Sequence, residues 1–338
     1  MSVVQPARAR ERLSIIVPVF REAEGLRAFH EDLCTILAQV AANHRLSLEV
    51  VYVDDGSDDG TADIARSLHM SFGRVLVVAL SRNFGKESAL AAGLEATHGS
   101  AVLFMDGDGQ HPPSLILDMA RDWLEGGFDI VYAAKADRHD EGLRKRLFSR
   151  LFYKLLNFGA RIDVPRDGGD FRLMSPRAVA ALRQLPERNR FFKGLSTWVG
   201  FRQKRIDYTP SLRKHGHSKF NPIALASLAI EGLTAFSVAP LRLATLFGLA
   251  LAALAASYGS WIIIDKIVFG IPIPGYPSVV VGVMMVGAVQ LVMIGILGEY
   301  IAKILVEVKH RPVFIVAETT VNEAPTKQEA EGHTSSSS

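Results

Sequence analysis

Two aspartates separated by one glycine, Asp106-Gly107-Asp108, stand where the apolar run Ala101 to Met105 stops. Carboxylates at the end of a buried strand can hold a hard cation such as Mg2+ or Mn2+, and the glycine lets a ligand approach the backbone. Such a cation would bridge a diphosphate and offset the charge that grows as it leaves. Asp108 is the first choice of ligand, with Gln110 as a neutral oxygen ligand and Asp106 near a ribose or the metal. The same residue types also form ordinary turns, so the motif takes its meaning from its surroundings. His111, before Pro112 and Pro113, reads as incidental to the metal. No Gly-x-Gly-x-x-Gly follows the first apolar run and no Gly-Lys-Ser/Thr phosphate loop occurs, which excludes the usual dinucleotide and P-loop cradles. A diphosphate must be neutralised another way.

The elements that position these residues are legible as an alternation. Leu13 to Val19, Leu48 to Val53, Val75 to Leu80, Ala101 to Met105 and Phe128 to Ala133 are short β-branched runs of the kind found in a buried, mostly parallel sheet. Between the first two, Leu26, Phe29, Leu33, Ile36, Leu37 and Val40 recur at helical spacing. Strand-helix alternation predicts an α/β layered fold, whose ligands bind beyond the carboxyl ends of the strands. Asp54-Asp55-Gly56-Ser57 follows the second run as Asp106-Gly107-Asp108 follows the fourth.

A different texture starts at Gly142. Over 142–160, Leu143, Leu147, Leu151, Leu155 and Phe158 form an apolar stripe, while Arg144, Lys145, Arg146, Arg150 and Lys154 supply charge. This predicts a basic amphipathic helix at a membrane surface. Leu243 to Ile264 and Val279 to Leu297 each approach or exceed the ~20 residues that cross a ~30 Å hydrocarbon core. Their short Gly- and Pro-rich connector predicts a hairpin. Arg242, Lys303, Lys309 and Arg311 flank its outer ends, and the connector offers only Lys266 beside Asp265, so positive-inside bias puts the large domain and both termini in the cytoplasm. The expected organisation is a polar N-terminal tail 1–12, a catalytic domain 13–220, a juxtamembrane helix 221–240, a transmembrane hairpin 241–303 and a tail 304–338. The polar sequence after Val316, ending in four serines, reads as disordered.

Composition narrows the class. The 338 residues are 49% hydrophobic and carry a formal charge of +3, too slight to argue for nucleic acid. Cys34 is the only cysteine, so neither an intrachain disulfide nor a thiolate metal cluster can form. Arg8, Arg10 and Arg12 precede an apolar stretch that is short and broken by Pro18, unlike a secretory signal.

The strings SIIVPVFRE, VDDGSDDGT, LSRNFGKESALAAGL, MDGDGQHPP, GGDFRLM, LPERNRFFKGL and RKHGHSK occur in the order found in glycosyltransferase family 2. With LRLAT and GEYIAKILVEVKHRP, the chain from about Leu13 to Val316 resembles the polyisoprenyl-phosphate glycosyltransferases of that family, similar to bactoprenol glucosyltransferases and more distantly to dolichol-phosphate mannose synthases. The resemblance implies a GT-A fold, a nucleotide-sugar donor with UDP-glucose favoured, Mg2+ or Mn2+, an undecaprenyl phosphate acceptor in the bacterial inner membrane, and a homo-oligomer, in relatives a homotetramer. It further implies that Pro18, Phe20, Glu22 and Asp55 line the nucleoside pocket and that Asp106, Gly107, Asp108 and Gln110 hold ribose, diphosphate and metal. Lys135 stands where relatives often have Arg; Lys145 and Ser149 match holders of the acceptor phosphate; Lys193 and Arg213 match groups that neutralise the donor diphosphate. Arg21 departs from a usual Asn, and Gly107 and Gly109 from Ala and Leu.

The chemistry follows without the family. A lipid phosphate loses its second proton near pH ~6, so it needs less help from a base than a sugar hydroxyl. The main task is then to bring two anions together for in-line attack at the anomeric carbon, with Lys135, Lys145 and the metal offsetting their repulsion. One displacement inverts that carbon; the resemblance, rather than the chemistry, implies that the product serves to decorate surface polysaccharide. Asp170 is a base or an orienting group; equally it caps a turn or pairs with Arg172. A processive polysaccharide synthase would share the donor site but predicts a Gln-x-x-Arg-Trp motif, which does not occur. A non-catalytic membrane adaptor or flippase subunit would leave the motif set unexplained.

Overall fold

The computed structural model of the protein describes residues 11–97, 99–135, 168–185, 187, 192–209, 239–269 and 275–323. The chain divides into two compact units, one of residues 1–142, 164–219 and 312–338, the other of residues 143–163 and 220–311.

The first unit is built on one mixed sheet. Its strands are β1 (Arg12–Val19), β2 (Ser47–Asp54), β3 (Gly73–Leu80), β4 (Ala101–Phe104), β5 (Ile130–Lys135), β6 (Gly168–Met174), β7 (Gln203–Tyr208) and β8 (Val316–Asn322), in the spatial order β7-β5-β6-β4-β1-β2-β3-β8. The central four are parallel, as the continuous apolar runs require. Two features differ from the sequence reading. Strand β6 enters antiparallel between β4 and β5, and β8 closes the far edge antiparallel to β3.

Alternation along β1 sends Leu13, Ile15 and Val17 into the core that holds Leu26, Phe29, Leu33 and Leu37 of α1 (Leu26–His44) and Ile116 and Met119 of α4 (Leu115–Leu124). Ile16 points to the other face, where Gly93 of α3 (Lys86–Ala96) packs directly on Ile16 and Val53. Helix α3 can lie that close because its buried positions include Ala89, Ala91, Ala92 and Gly93. The remaining helices of this unit are α2 (Thr61–Arg66), α5 (Pro176–Arg183) and α6 (Phe192–Trp198).

The sequence after Val316, expected to be disordered, instead continues β8 over its first six residues, to Asn322. The β-branched content of Val316, Thr319, Thr320 and Val321 suits a strand. Its end is fastened by Asn322, whose Nδ2 donates to the carbonyls of Arg66 and Leu68 at 2.6 and 2.9 Å, and Arg66 pairs with Glu318 at 2.8 Å. The strand therefore belongs to the first unit, although the sequence boundary at 304 had assigned it to a tail.

The second unit contains α7 (Ala239–Phe269) and α8 (Tyr276–Val308), which pack on each other. Segments Ala244–Asp265 and Gly282–Val308 are long and apolar enough to cross a membrane, and none of either is buried. Leu246, Val283 and Leu291 are each more than 60% exposed, a continuous apolar surface that water would not tolerate on this scale. The expected interfacial helix 142–160 and almost all of the juxtamembrane helix 221–240 lie outside the described residues.

Candidate active site

Strands β1, β2 and β4 end side by side, with Val19 opposite Asp54 in register and the Met105 amide donating to Ile16 O at 3.0 Å. Beyond these ends lies a cleft of about 420 Å3. Seven residues marked by the sequence line it: Pro18, Phe20, Glu22, Asp55, Asp106, Gly107 and Asp108. The structure adds Asn83, Gly85 and Lys86 from the turn before α3.

That turn is built by the second acidic motif. Asp55, buried at the end of β2, accepts from the amides of Phe84 at 2.7 Å and Gly85 at 2.9 Å, so it caps the approach to α3. Burial pushes its carboxyl above the usual range, against the pull of these two bonds. Gly56, at φ 71°, lies so close to the backbone of Arg82 and Asn83 that a side chain could not fit. The pair Asp55-Gly56 thereby fixes where α3 begins, and hence the position of Lys86.

Lys86 joins two acidic elements. Its Nζ lies 2.6 Å from Asp106 Oδ1 and 2.6 Å from Asp170 Oδ2. Partial burial works against its charge, but Asp170 and Asp106 outweigh it and hold the ammonium well above its ordinary pKa. Burial likewise works against the Asp170 carboxylate, and Lys86 overcomes it, with Arg172 and Lys193 assisting, so the acid is held below the usual range. Asp170 thus pairs with Lys86. The buried Arg172 guanidinium donates to Gly169 O at 2.6 Å, to Lys193 O at 3.4 Å and to Ser196 Oγ. Beside them, Glu87 Oε2 accepts from the Phe192 amide at 3.0 Å at the start of α6. Burial, then the neighbouring Asp170 charge, push the Glu87 carboxyl up to about 7 despite that bond.

The acidic turn itself is compact. Asp108 Oδ1 accepts from the Gln110 amide at 3.0 Å, and Gly109 takes φ 70° between them. A β-carbon on Gly107 would meet Val17 and Val19 side chains at 3.2 Å, so the turn rests directly on β1. Behind it, His111 is buried between Phe171 and Tyr208, at ring distances of 5.0 and 5.8 Å. Burial lowers its pKa, so the ring stays neutral near pH 7.

Asp106, Asp108 and Gln110 present hard oxygen donors, the chemistry that Mg2+ or Mn2+ requires. Among the described residues no group of three or more His, Cys, Asp or Glu is arranged to hold a metal. The set fits an ion that takes one or two carboxylates from the protein and completes its shell with water and substrate phosphate, as Mg2+ commonly does.

Lys193 is buried in α6 and its charge reaches Asp170, but it does not line the cleft. Lys135 is the last residue of β5, opposite Tyr208 of β7. Lys145, Ser149 and Arg213 lie outside the described residues. Lys86, Glu87 and Asn83 escaped the sequence reading, although they sit in a string it singled out. A signal was present: a lysine at the first position of a helix is opposed by the helix dipole and needs another reason to be there.

The chain matches the family described as Glycosyl transferase family 2 over residues 14–183 and the one described as GtrB C-terminal hairpin over residues 239–304. It is 42% identical over 305 residues to the bactoprenol glucosyl transferase of Shigella phage SfV, covering 90% of this chain and 98% of that protein. The prophage bactoprenol glucosyl transferase homolog of Escherichia coli (strain K12) is 39% identical over 305 residues, with 90% and 98% covered. A mannosyltransferase from Pyrobaculum calidifontis, solved with GDP-Man and Mn2+, gives a TM-score of 0.44 at 17% identity over 89% of this chain and 88% of its own, a likeness too loose to bear on the site.

Proposed function

The chain belongs to glycosyl transferase family 2 and is a glycosyltransferase with a membrane hairpin, and from that premise we propose that it transfers glucose from UDP-glucose to undecaprenyl phosphate at the cytoplasmic face of a bacterial inner membrane, inverting the anomeric carbon. The observation that carries this reading is the extent of the match: the relatives named for glucosyl transfer to bactoprenol align across both the cleft-bearing unit and the hairpin. A lipid acceptor keeps its phosphate at the bilayer surface, so a site that uses it must be tethered there. Basic residues Lys309 and Arg311 after the second membrane segment support the cytoplasmic side.

In this reading the base and ribose enter the cleft beside Pro18, Phe20, Glu22 and Asp55, and the diphosphate lies toward the acidic turn. A divalent cation on Asp108, Gln110 and Asp106 would supply charge stabilisation to the leaving diphosphate. Lys86 brings a second positive charge to the same end of the cleft, and Lys193 and Arg213 would add to it. An acceptor phosphate oxygen forms the new bond to the anomeric carbon as the bond from that carbon to the diphosphate breaks. The nucleoside diphosphate leaves with the electron pair. Lys135, Lys145 and Ser149 would hold the acceptor phosphate in line. No proton need be removed from an ionised phosphate, so Asp170, held ionised by Lys86, acts as an orienting group.

Label transfer from a panel of nucleotide sugars to undecaprenyl phosphate, by the purified protein with Mg2+ or Mn2+ and with EDTA, tests this. One metal-dependent labelled lipid from UDP-glucose is expected. A folded protein that yields no product from any donor would overturn the reading.

A further inference from the structure

Lys86 is placed where three general considerations oppose a cation. It opens α3, where the helix dipole is positive, it is partly withdrawn from water, and it faces the turn proposed to receive a divalent ion. Two carboxylates at 2.6 Å hold it there, and one of them, Asp106, belongs to that turn. The other, Asp170, comes from β6 and lies outside the turn. The two contacts therefore differ in kind. A divalent cation on Asp106 and Asp108 must share Asp106 with an ammonium already bound to it, and like charges on one carboxylate repel. A diphosphate arriving with the cation offers Lys86 a replacement anion while Asp170 keeps its other side anchored.

We infer that Lys86 is an internal counter-ion for Asp106 that makes cation binding conditional on a nucleoside diphosphate, handing Asp106 to the metal as it transfers its own contact to the diphosphate. This rests on the donor-site reading above and adds the residue that couples the two ligands. The scarcity of other ligating side chains around the turn among the described residues is in keeping with it, since those residues offer little with which to hold a cation alone. Coupling of this kind is reciprocal: whatever factor the nucleotide adds to metal affinity, the metal adds to nucleotide affinity.

The test is titration of the full-length protein in detergent with Mn2+, followed by the paramagnetic resonance signal of free Mn2+, first alone and then with saturating UDP. The wild-type protein should bind Mn2+ weakly by itself and at least tenfold more tightly with UDP. Lys86→Gln should bind Mn2+ alone about five- to tenfold more tightly than wild type, with most of the UDP effect gone. Lys86→Arg, which keeps the charge, should restore weak binding of Mn2+ alone, and thermal melting of all three proteins checks their folding. Unchanged or weaker binding of Mn2+ alone by Lys86→Gln, or a UDP effect as large as in wild type, would overturn the inference. A protein that transfers sugar but shows either result loses the inference only. One that shows tighter Mn2+ binding in Lys86→Gln but transfers nothing loses the proposed reaction only.

Discussion

Lys86 and Asp170 are 84 positions apart in sequence and 2.6 Å apart in space. The contact ties the first residue of α3 to β6, so the acid holds the lysine in place and the lysine holds the acid ionised. Asp170→Asn should lower kcat/KM by about 10²-fold, the scale expected when a positioning contact is lost, while leaving the shape of the pH-rate profile above pH 5 unchanged. A carboxylate held below its ordinary range has no ionisation left to lose there. Disappearance of an acidic limb in the variant would instead identify Asp170 as a base, and near-normal turnover would deny it either role.

Asp108→Ala should abolish transfer with the fold retained. The side chain is only partly buried, and its bond to the Gln110 amide contributes about 0.5–1.5 kcal/mol. A thermal melt near that of wild type together with no labelled lipid is the expected pair of results. Metal-dependent transfer by this variant would remove Asp108 from the metal site.

Glu87 predicts a pH signature. Its carboxyl is raised to about 7 in the folded protein against an ordinary 4.5, so the native state holds the proton more tightly than the unfolded chain does. The contribution is fully present below about 4.5 and is lost as pH rises toward and through 7. Glu87→Gln, which cannot ionise, should therefore gain in melting temperature relative to wild type across this interval. A difference between the two proteins that stays constant from pH 4.5 to 8 would contradict the assignment.

Much of the cleft was legible because its residues follow apolar runs. Asp54, Asp55, Asp106 and Asp108 come where strands stop, and in a parallel sheet the stops of neighbouring strands converge. The Lys86–Asp170 contact was not legible, because it depends on β6 returning beside β4 more than sixty residues later, a pairing that no local pattern encodes. Strand β8 was missed for a different reason. Its exposed edge position leaves it without the hydrophobic alternation that marks a strand with one buried face.

Arg21 shows a departure from the family pattern whose physical basis is local. It sits at φ 59°, a left-handed conformation that Asn tolerates better than Arg, and it is fixed there by two 2.8 Å bonds to Asp58. Arg21→Asn removes an exposed ion pair contributing roughly 0–1 kcal/mol and relieves comparable backbone strain. Its melting temperature should match or exceed that of wild type. A large drop would mean that the Arg21–Asp58 pair organises the Phe20 turn rather than compensating for it.

The position of β8 in the chain sets an order of manufacture. Both apolar helices leave the ribosome after β7 and before the residues that finish the sheet, so at about 5–20 residues per second the outer edge of β3 stays unpaired for tens of seconds. That edge carries Val75, Leu76, Val77 and Val78, a sequence prone to pair with another chain, whereas the strand that finally covers it offers Glu318, Thr319 and Thr320. Synthesis of the hairpin thus precedes completion of the sheet, and a nascent chain stalled before β8 would remain marked by an open edge. A chain ending at Ile315 should keep that mark permanently and collect in aggregates even with its helices inserted. Recovering it as a monodisperse protein with the wild-type melting temperature would show that the edge needs no cover.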